Sequence, residues 1–269
     1  MMVVISSVLG YIIVVGQDFS FSVLCILGAG GFLVTSAANA LNQVLEREFD
    51  CHMSRTQNRP VASGRMKSSE AVMFAGISCL IGVGMLASLN TLAAFLGMLS
   101  FILYAFIYTP LKRYSTSAVA VGAIPGALPV LIGAVTVDGQ LTYLGLGLFA
   151  VQFLWQFPHF WAIGYNSFDD YKKAGFQLLP TNNGEIHRSL GKNAAFYSIL
   201  IIPVLTGMYL NDLMQFFALS TTLLLTIGYI LYSIRFHIEF DKKSARHLMF
   251  YSFLYLPLFL LCMLIFNGI

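Results

Sequence analysis

Asn42, Glu46 and Asp50 stand four residues apart. On a helix, where successive residues turn by about 100°, that spacing sets all three on one stripe. Two carboxylates on one stripe repel each other unless a cation lies with them. Hard oxygen donors of this kind suit Mg²⁺, which takes one or two carboxylates plus substrate phosphates rather than a closed protein cage. Arg55 and Arg59 follow in the same segment, and a guanidinium holds phosphate through two parallel hydrogen bonds. Acids for a metal beside arginines for phosphate point to a diphosphate site. The plainer alternative is a solvated helix end whose acids pair with Arg47 and Arg55.

A second motif resembles the first. Asn166 and Asp170 repeat the spacing of Asn42 and Glu46, 124 residues further on, with Ala174 where Asp50 would stand. Between the two motifs, Lys112 and Arg113 follow Tyr108-Thr-Pro-Leu, either as orientation signals or as further contacts to a diphosphate. His159 lies in Trp155-Gln-Phe-Pro-His-Phe-Trp161. A lone histidine there fits a packing role bonded to backbone, or a ligand or proton-transfer role, since ionisable groups inside membranes are functional more often than those of soluble proteins. Trp155, Phe157, Phe160 and Trp161 fit either a pocket for a flat ligand or an interfacial aromatic belt.

The elements that must position these residues follow from composition. Of 269 residues, 58% are apolar or aromatic and 10% charged, with mean hydropathy +0.78, whereas a soluble domain is about a quarter charged. Soluble, disordered, collagen-like, coiled-coil and disulfide-scaffold classes are excluded. The apolar stretches run without the alternation of a membrane β-barrel, so the spans are helices. Cys25, Cys79 and Cys262 lie in apolar runs and Cys51 stands alone, which leaves no disulfide framework and no zinc site.

Nine runs approach the roughly 20 residues a bilayer needs: 1–16, 19–45, 69–87, 92–109, 116–135, 141–164, 194–210, 213–234 and 247–266. The first lacks a basic lead-in and a small-residue cleavage site, and reads as a retained short helix rather than a signal peptide. All 15 Lys and Arg fall in the connections after the second, fourth, sixth and eighth runs. The positive-inside rule places those connections and the N-terminus in the cytoplasm and the C-terminus outside. The expected architecture is an all-α integral membrane protein, one domain over 1–269, with nine transmembrane helices around a central cavity. Helices 1–4 and 5–8 would form an internal repeat, with the ninth appended. A transporter, the competing class, keeps its ionisable groups near the midplane; here nearly all sit at the inner rim.

Asn42-x3-Glu46-x2-Phe49-Asp50-x2-Met53-x-Arg55-Thr56-x2-Arg59-x4-Gly64 resembles the signature of the UbiA superfamily of intramembrane prenyltransferases. Trp155-Gln-Phe-Pro-His159-Phe, Asp170-Tyr171-x2-Ala174-Gly175 before Leu179-Pro180, Tyr108-Thr-x-Leu-Lys112-Arg113 and Ala245-Arg246 are similar to its heme-modifying branch, over nearly the whole chain. Ala174 departs from the quinone branch, which often carries a second Asp there. The resemblance implies transfer of farnesyl from farnesyl diphosphate to a vinyl group of heme b, with water addition, giving heme O for heme A synthesis. An aromatic quinone precursor is the alternative acceptor.

The resemblance also implies residue roles. Mg²⁺ would be held by Glu46, Asp50 and Asp170, with neighbouring Asp169, and oriented through water by Asn42 and Asn166. Arg55, Arg59, Lys112, Arg113 and Lys173 would meet the diphosphate. Tyr171 would steady the allylic cation through its ring face, and His159 and Trp155 would meet the heme. The implied setting is a bacterial inner membrane, in contact with lipid, with heme A synthase or terminal oxidase assembly as partner and no nucleic acid.

Overall fold

The computed structural model describes residues 2–267. Met1, at the start of the first expected run, and Gly268 and Ile269, at the end of the expected domain, lie outside the described residues. The helices are α1 (Met2–Val15), α2 (Phe21–Leu45), α3 (Arg47–Asp50), α4 (Ser68–Leu89), α5 (Thr91–Ile102), α6 (Thr109–Leu111), α7 (Ala118–Asp138), α8 (Tyr143–Asn166), α9 (Phe168–Lys173), α10 (Ser189–Ile199), α11 (Ile201–Leu210), α12 (Phe216–Glu239) and α13 (Lys242–Asn267). A wide π turn, Leu103–Tyr108, joins α5 to α6, and a small hairpin of β1 (Thr181–Asn182) and β2 (Glu185–Ile186) follows α9.

The chain is all-helical, as expected, and is a multi-pass membrane protein. Among the described residues, seven helical stretches are long and apolar enough to cross a bilayer: Phe21–Leu45, Ser68–Leu89, Thr91–Leu111, Ala118–Asp138, Ser189–Leu210, Phe216–Glu239 and Lys242–Phe266. These correspond to seven of the nine expected runs. The other two differ for physical reasons. α1 has only 14 residues, and α8, although 24 residues long, carries Gln152, Gln156 and His159. Large apolar side chains such as Phe32, Leu80, Phe95, Leu224 and Phe250 are exposed on the outer surface, where only lipid would accept them without cost.

Two caps show how the polar punctuation works. Asn90 accepts from the Ala93 N–H at 2.8 Å to start α5 and donates to the Val135 carbonyl of α7 at 2.9 Å. Thr142 accepts from the Gly145 N–H at 3.1 Å to start α8. Each satisfies a first-turn donor that lipid could not.

α7 is the hub, packing against α1, α5 and α8. One apolar cluster gathers α1, α2, α4 and α5 against it, and a second gathers α8 and α10–α13. Glycines permit the closest crossing. A Cβ on Gly133 would lie 1.8 Å from the Ser7 carbonyl oxygen, and one on Gly10 2.4 Å from that of Val130. α1 and α7 therefore touch backbone to backbone, as small residues allow in membranes.

Candidate active site

α2 does not continue unbroken through Asp50, as the expected stripe assumed. It stops at Leu45, Glu46 adopts φ −104° and ψ 7°, and α3 resumes. At the break the Arg113 guanidinium donates to the Leu45 carbonyl. The Phe49 N–H, which would have used that carbonyl, turns to Glu46 instead at 2.9 Å. The bonds that matter for the stripe survive: Glu46 N–H to the Asn42 carbonyl at 2.9 Å and Asp50 N–H to the Glu46 carbonyl at 2.8 Å. The three side chains stay on one face.

That face is enclosed. Asp50 is 0% exposed and Glu46 3%. A single nitrogen, Arg59 Nη1, donates to Asp50 Oδ1 at 3.0 Å and Oδ2 at 2.9 Å, and to Asn42 Oδ1 at 3.4 Å. It stands 3.9 Å from Glu46 Oε2. The other Glu46 oxygen pairs with Lys112 Nζ, which lies 4.8 Å from the Tyr108 ring centre and 5.6 Å from that of Phe176. Buried ion pairs seldom improve stability over apolar packing, so an enclosure of this kind points to function.

The π turn sets Lys112. Pro110 has no N–H to return to the preceding turn. The Thr109 N–H reaches five residues back to the Tyr104 carbonyl, and its hydroxyl donates to the same oxygen at 2.8 Å. Thr109 Oγ1 then accepts from Asn42 Nδ2 at 3.1 Å. Widened turns of this kind recur at functional sites. Arg113, next in sequence, lies instead with its guanidinium 3.9 Å from the Phe49 ring centre. It supports the helix break and does not join the cations at the acids.

The second motif meets the first. Ser54 donates to Asp170 Oδ2, and the Gln177 N–H donates to the Lys112 carbonyl at 2.8 Å. Met53, Ala174 and Phe176 form a buried apolar cluster with Phe49 and Tyr171 packed on it. Ala174 is therefore packing; an Asp there would face Met53 and Phe176 without water. Asn166 Nδ2 donates to the Ala162 carbonyl at 2.8 Å, while its Oδ1 is enclosed without a hydrogen-bond partner. Asp169 lies elsewhere: its side chain is 69% exposed and pairs with Lys242 at 2.8 Å, and that hydrogen bond holds its carboxyl below the usual range. Arg55 and Lys173 are exposed and make no ion pair among the described residues.

No three His, Cys, Asp or Glu side chains among the described residues are gathered closely enough to hold a metal by themselves. The donors present nevertheless fit Mg²⁺ of the kind completed by substrate. They are two enclosed carboxylates and an amide around one cationic nitrogen, with Asp170 tied to Ser54 of the same loop and Asn166 Oδ1 unpartnered.

An apolar cavity of about 360 Å³ lies inward of this rim, among α1, α2, α5, the π turn, α7, α8 and α13. Asn39 and Tyr108 line it, one turn from Asn42 and Lys112. Trp155, His159 and Phe160 form part of its wall. Of the four aromatics in this stretch, Trp155 and Phe160 line the cavity, whereas Phe157 and Trp161 are buried in the core against Tyr197. Trp155 stacks on His159 at 4.6 Å and donates from Nε1 to the Ser252 carbonyl at 2.9 Å. His159 Nδ1 lies 2.7 Å from Ser252 Oγ, whose own proton goes to the Met249 carbonyl at 2.6 Å. When the Ser252 hydroxyl donates to Met249, its oxygen is left to accept from His159 Nδ1, the tautomer whose Nε2 carries the lone pair. Sequence reasoning missed Ser54, Thr109 and Ser252. Only Thr109 carried a signal, the proline that follows it.

Enclosed acids and bases beside an apolar cavity in a polytopic helix bundle suit an intramembrane prenyltransferase. The chain belongs to the UbiA prenyltransferase family, whose profile matches residues 3–254. It is 40% identical over 266 residues to protoheme IX farnesyltransferase of Flavobacterium johnsoniae, covering 95% of this chain and 87% of that one. It is 35% identical to the mitochondrial protoheme IX farnesyltransferase of Arabidopsis thaliana, over 97% of this chain and 61% of the relative. Its fold is similar to that of a digeranylgeranylglyceryl phosphate synthase structure, with TM-score 0.83 at 19% identity over 99% and 93% of the two chains. An Archaeoglobus fulgidus UbiA homolog bound to GPP and Mg²⁺ matches with TM-score 0.66 at 12% identity, over 97% and 94%.

Proposed function

We propose that this chain transfers the farnesyl group of farnesyl diphosphate to a vinyl group of heme b, with water addition, giving heme O and diphosphate. The observation that carries the reading is the convergence of Asn42, Glu46, Asp50, Arg59 and Lys112 at the inner end of the apolar cavity. The 40% identity to a protoheme IX farnesyltransferase supports the heme acceptor, as does Ala174.

Glu46, Asp50 and Asp170 would hold Mg²⁺, with Asn42 and Asn166 orienting its water. The bound ion neutralises charge on the diphosphate. Arg55, Arg59, Lys112 and Lys173 receive the leaving diphosphate as negative charge develops on it. The cavity keeps the farnesyl chain and the tetrapyrrole edge away from water. The vinyl π pair forms the new bond to C1 of farnesyl as the C1–O bond breaks. Water adds to the resulting cation and releases a proton. The Tyr171 ring lies edge-to-face with Phe176, which packs beside Lys112, and its face would steady a passing allylic cation. Asp169 is left out of the metal set because of its exposed pairing with Lys242.

α1 and α8 are read as two further spans, for nine in all, with the active loops and N-terminus in the cytoplasm of a bacterial inner membrane. The confinement of every Lys and Arg to alternate connections supports this orientation. The repeat reading is supported by matching neighbours. α1–α2, α2–α4 and α4–α5 contacts in one half correspond to α7–α8, α8–α10 and α10–α12 in the other. Heme A synthase or terminal oxidase assembly would take the product.

The test incubates detergent-solubilised protein with heme b, farnesyl diphosphate and Mg²⁺, and analyses extracted hemes by mass. The expected product is a heme heavier by farnesyl plus water, abolished by EDTA. Diphosphate release without a new heme would move the acceptor to an aromatic quinone precursor; neither product would sink the reading. A second expectation concerns Ser252. Ser252→Ala frees the His159 ring to turn, and should raise KM for heme about tenfold, in line with the loss of an orienting partner, while KM for farnesyl diphosphate holds. Steady-state kinetics with each substrate varied would show it, and an unchanged heme KM would remove Ser252 from the site.

A further inference from the structure

Arg59 Nη1 occupies the point on which Asn42, Glu46 and Asp50 converge. It is already a cation where the carboxylates need one. Lys112 does the same for the other Glu46 oxygen. Two negative charges, Glu46 and Asp50, face two positive ones, Arg59 and Lys112, so this enclosed set of four is neutral as it stands. A divalent ion added alone would leave two surplus positive charges among groups largely out of water, where repulsion is weakly screened. A diphosphate added alone would leave surplus negative charge. Added together, they nearly cancel.

The two resident cations are not equally free. The Lys112 side chain is 11% exposed and its backbone is held by Gln177. The Arg59 side chain is 29% exposed and sits in a run of turns rather than on a helix. Arg59 is the one with a way out.

We propose that Arg59 is the resident counter-ion of the acid stripe, displaced onto the diphosphate when the divalent ion enters, so that ion and diphosphate bind as a pair and neither binds well alone. The inference rests on the diphosphate-site reading above. It extends that reading to a coupling between the two ligands, which by linkage must be reciprocal.

The test follows Mn²⁺ by electron paramagnetic resonance as a stand-in for Mg²⁺, using the full chain in detergent. Titrations are run with and without farnesyl S-thiolodiphosphate, corrected for Mn²⁺ bound by the analogue itself. Wild-type protein should bind Mn²⁺ alone at least about tenfold more weakly than with the analogue, within the usual range of coupling. Arg59→Met should bind Mn²⁺ alone about tenfold more tightly than wild type, and gain little from the analogue. Arg59→Lys, which keeps a cation, should stay weak alone. Equal wild-type affinity with and without the analogue overturns the proposal, as does Arg59→Met binding no better than wild type. If Arg59→Met loses its thermal unfolding transition, the wild-type pair of titrations and Arg59→Lys decide. Wild-type protein that binds no Mn²⁺ under either condition overturns the diphosphate-site reading itself, a result distinct from tight binding that the analogue leaves unchanged.

Discussion

Asp50→Asn should lower kcat/KM about a thousandfold, the scale expected when charge stabilisation at a leaving group is lost. Asn keeps the shape of Asp50 but not its charge. Asp50 is fully enclosed and takes both of its short contacts from one Arg59 nitrogen, so the variant also leaves that guanidinium short of a partner. Some stability should go too, since breaking an enclosed pair by removing one member is costly. A melting curve beside the kinetics separates the two effects. The comparison that sharpens the test is the pair of neighbouring aspartates. Asp170→Asn should fall steeply, because Asp170 is tied to the first loop through Ser54. Asp169→Asn should keep near wild-type turnover, because Asp169 is paired with Lys242 on the surface. Equal losses at 169 and 170 would refute the assignment.

Gly133→Val should be the most damaging single change to the fold. Its Cβ would stand 1.8 Å from the Ser7 carbonyl oxygen and 2.8 Å from the Tyr11 nitrogen. Both are backbone atoms of α1 and cannot rotate aside, so the whole helix must move. Overpacking costs about 1–3 kcal/mol and sometimes more; here the upper end is expected, with melting lowered by about 5–10 °C. Met2, Val3 and Ser6 of the same helix line the cavity, so turnover should fall as well. Gly76→Ala, where nothing lies within 4 Å of the added carbon, is the control, and should be neutral or slightly stabilising. A Gly133→Val protein that melts with wild type would mean that α1 and α7 do not cross as described.

Much of the site was legible because its chemistry lies in spacing. The four-residue interval of Asn42, Glu46 and Asp50 needs only a helix to bring the side chains together, and local hydrogen bonds preserve it even across the break at Glu46. What spacing cannot decide is which of two adjacent residues faces inward. Asp169 and Asp170 read alike in one dimension, as do Lys112 and Arg113, yet adjacent residues on a helix point about 100° apart. Tertiary partners chose between them: Ser54 and Lys242 for the aspartates, Glu46 and the Leu45 carbonyl for the bases. The role of Ala174 was hidden for the same reason, since its neighbours Met53 and Phe176 come from different loops. The apolar runs announced the bundle, but α8 blurs its own signal with the glutamines and histidine that serve the cavity.

The π turn at Leu103–Tyr108 bears on how this protein can vary. A turn closed by a five-residue step takes up one residue more than an ordinary turn while rotating the chain by nearly the same total angle. The extra residue is absorbed where it stands, so Lys112 and Thr109, at and beyond its end, face Glu46 and Asn42 much as they would after a plain α turn one residue shorter. Length can therefore vary at this turn, whereas a residue added to or removed from the regular helix beside it would rotate everything beyond by about 100°.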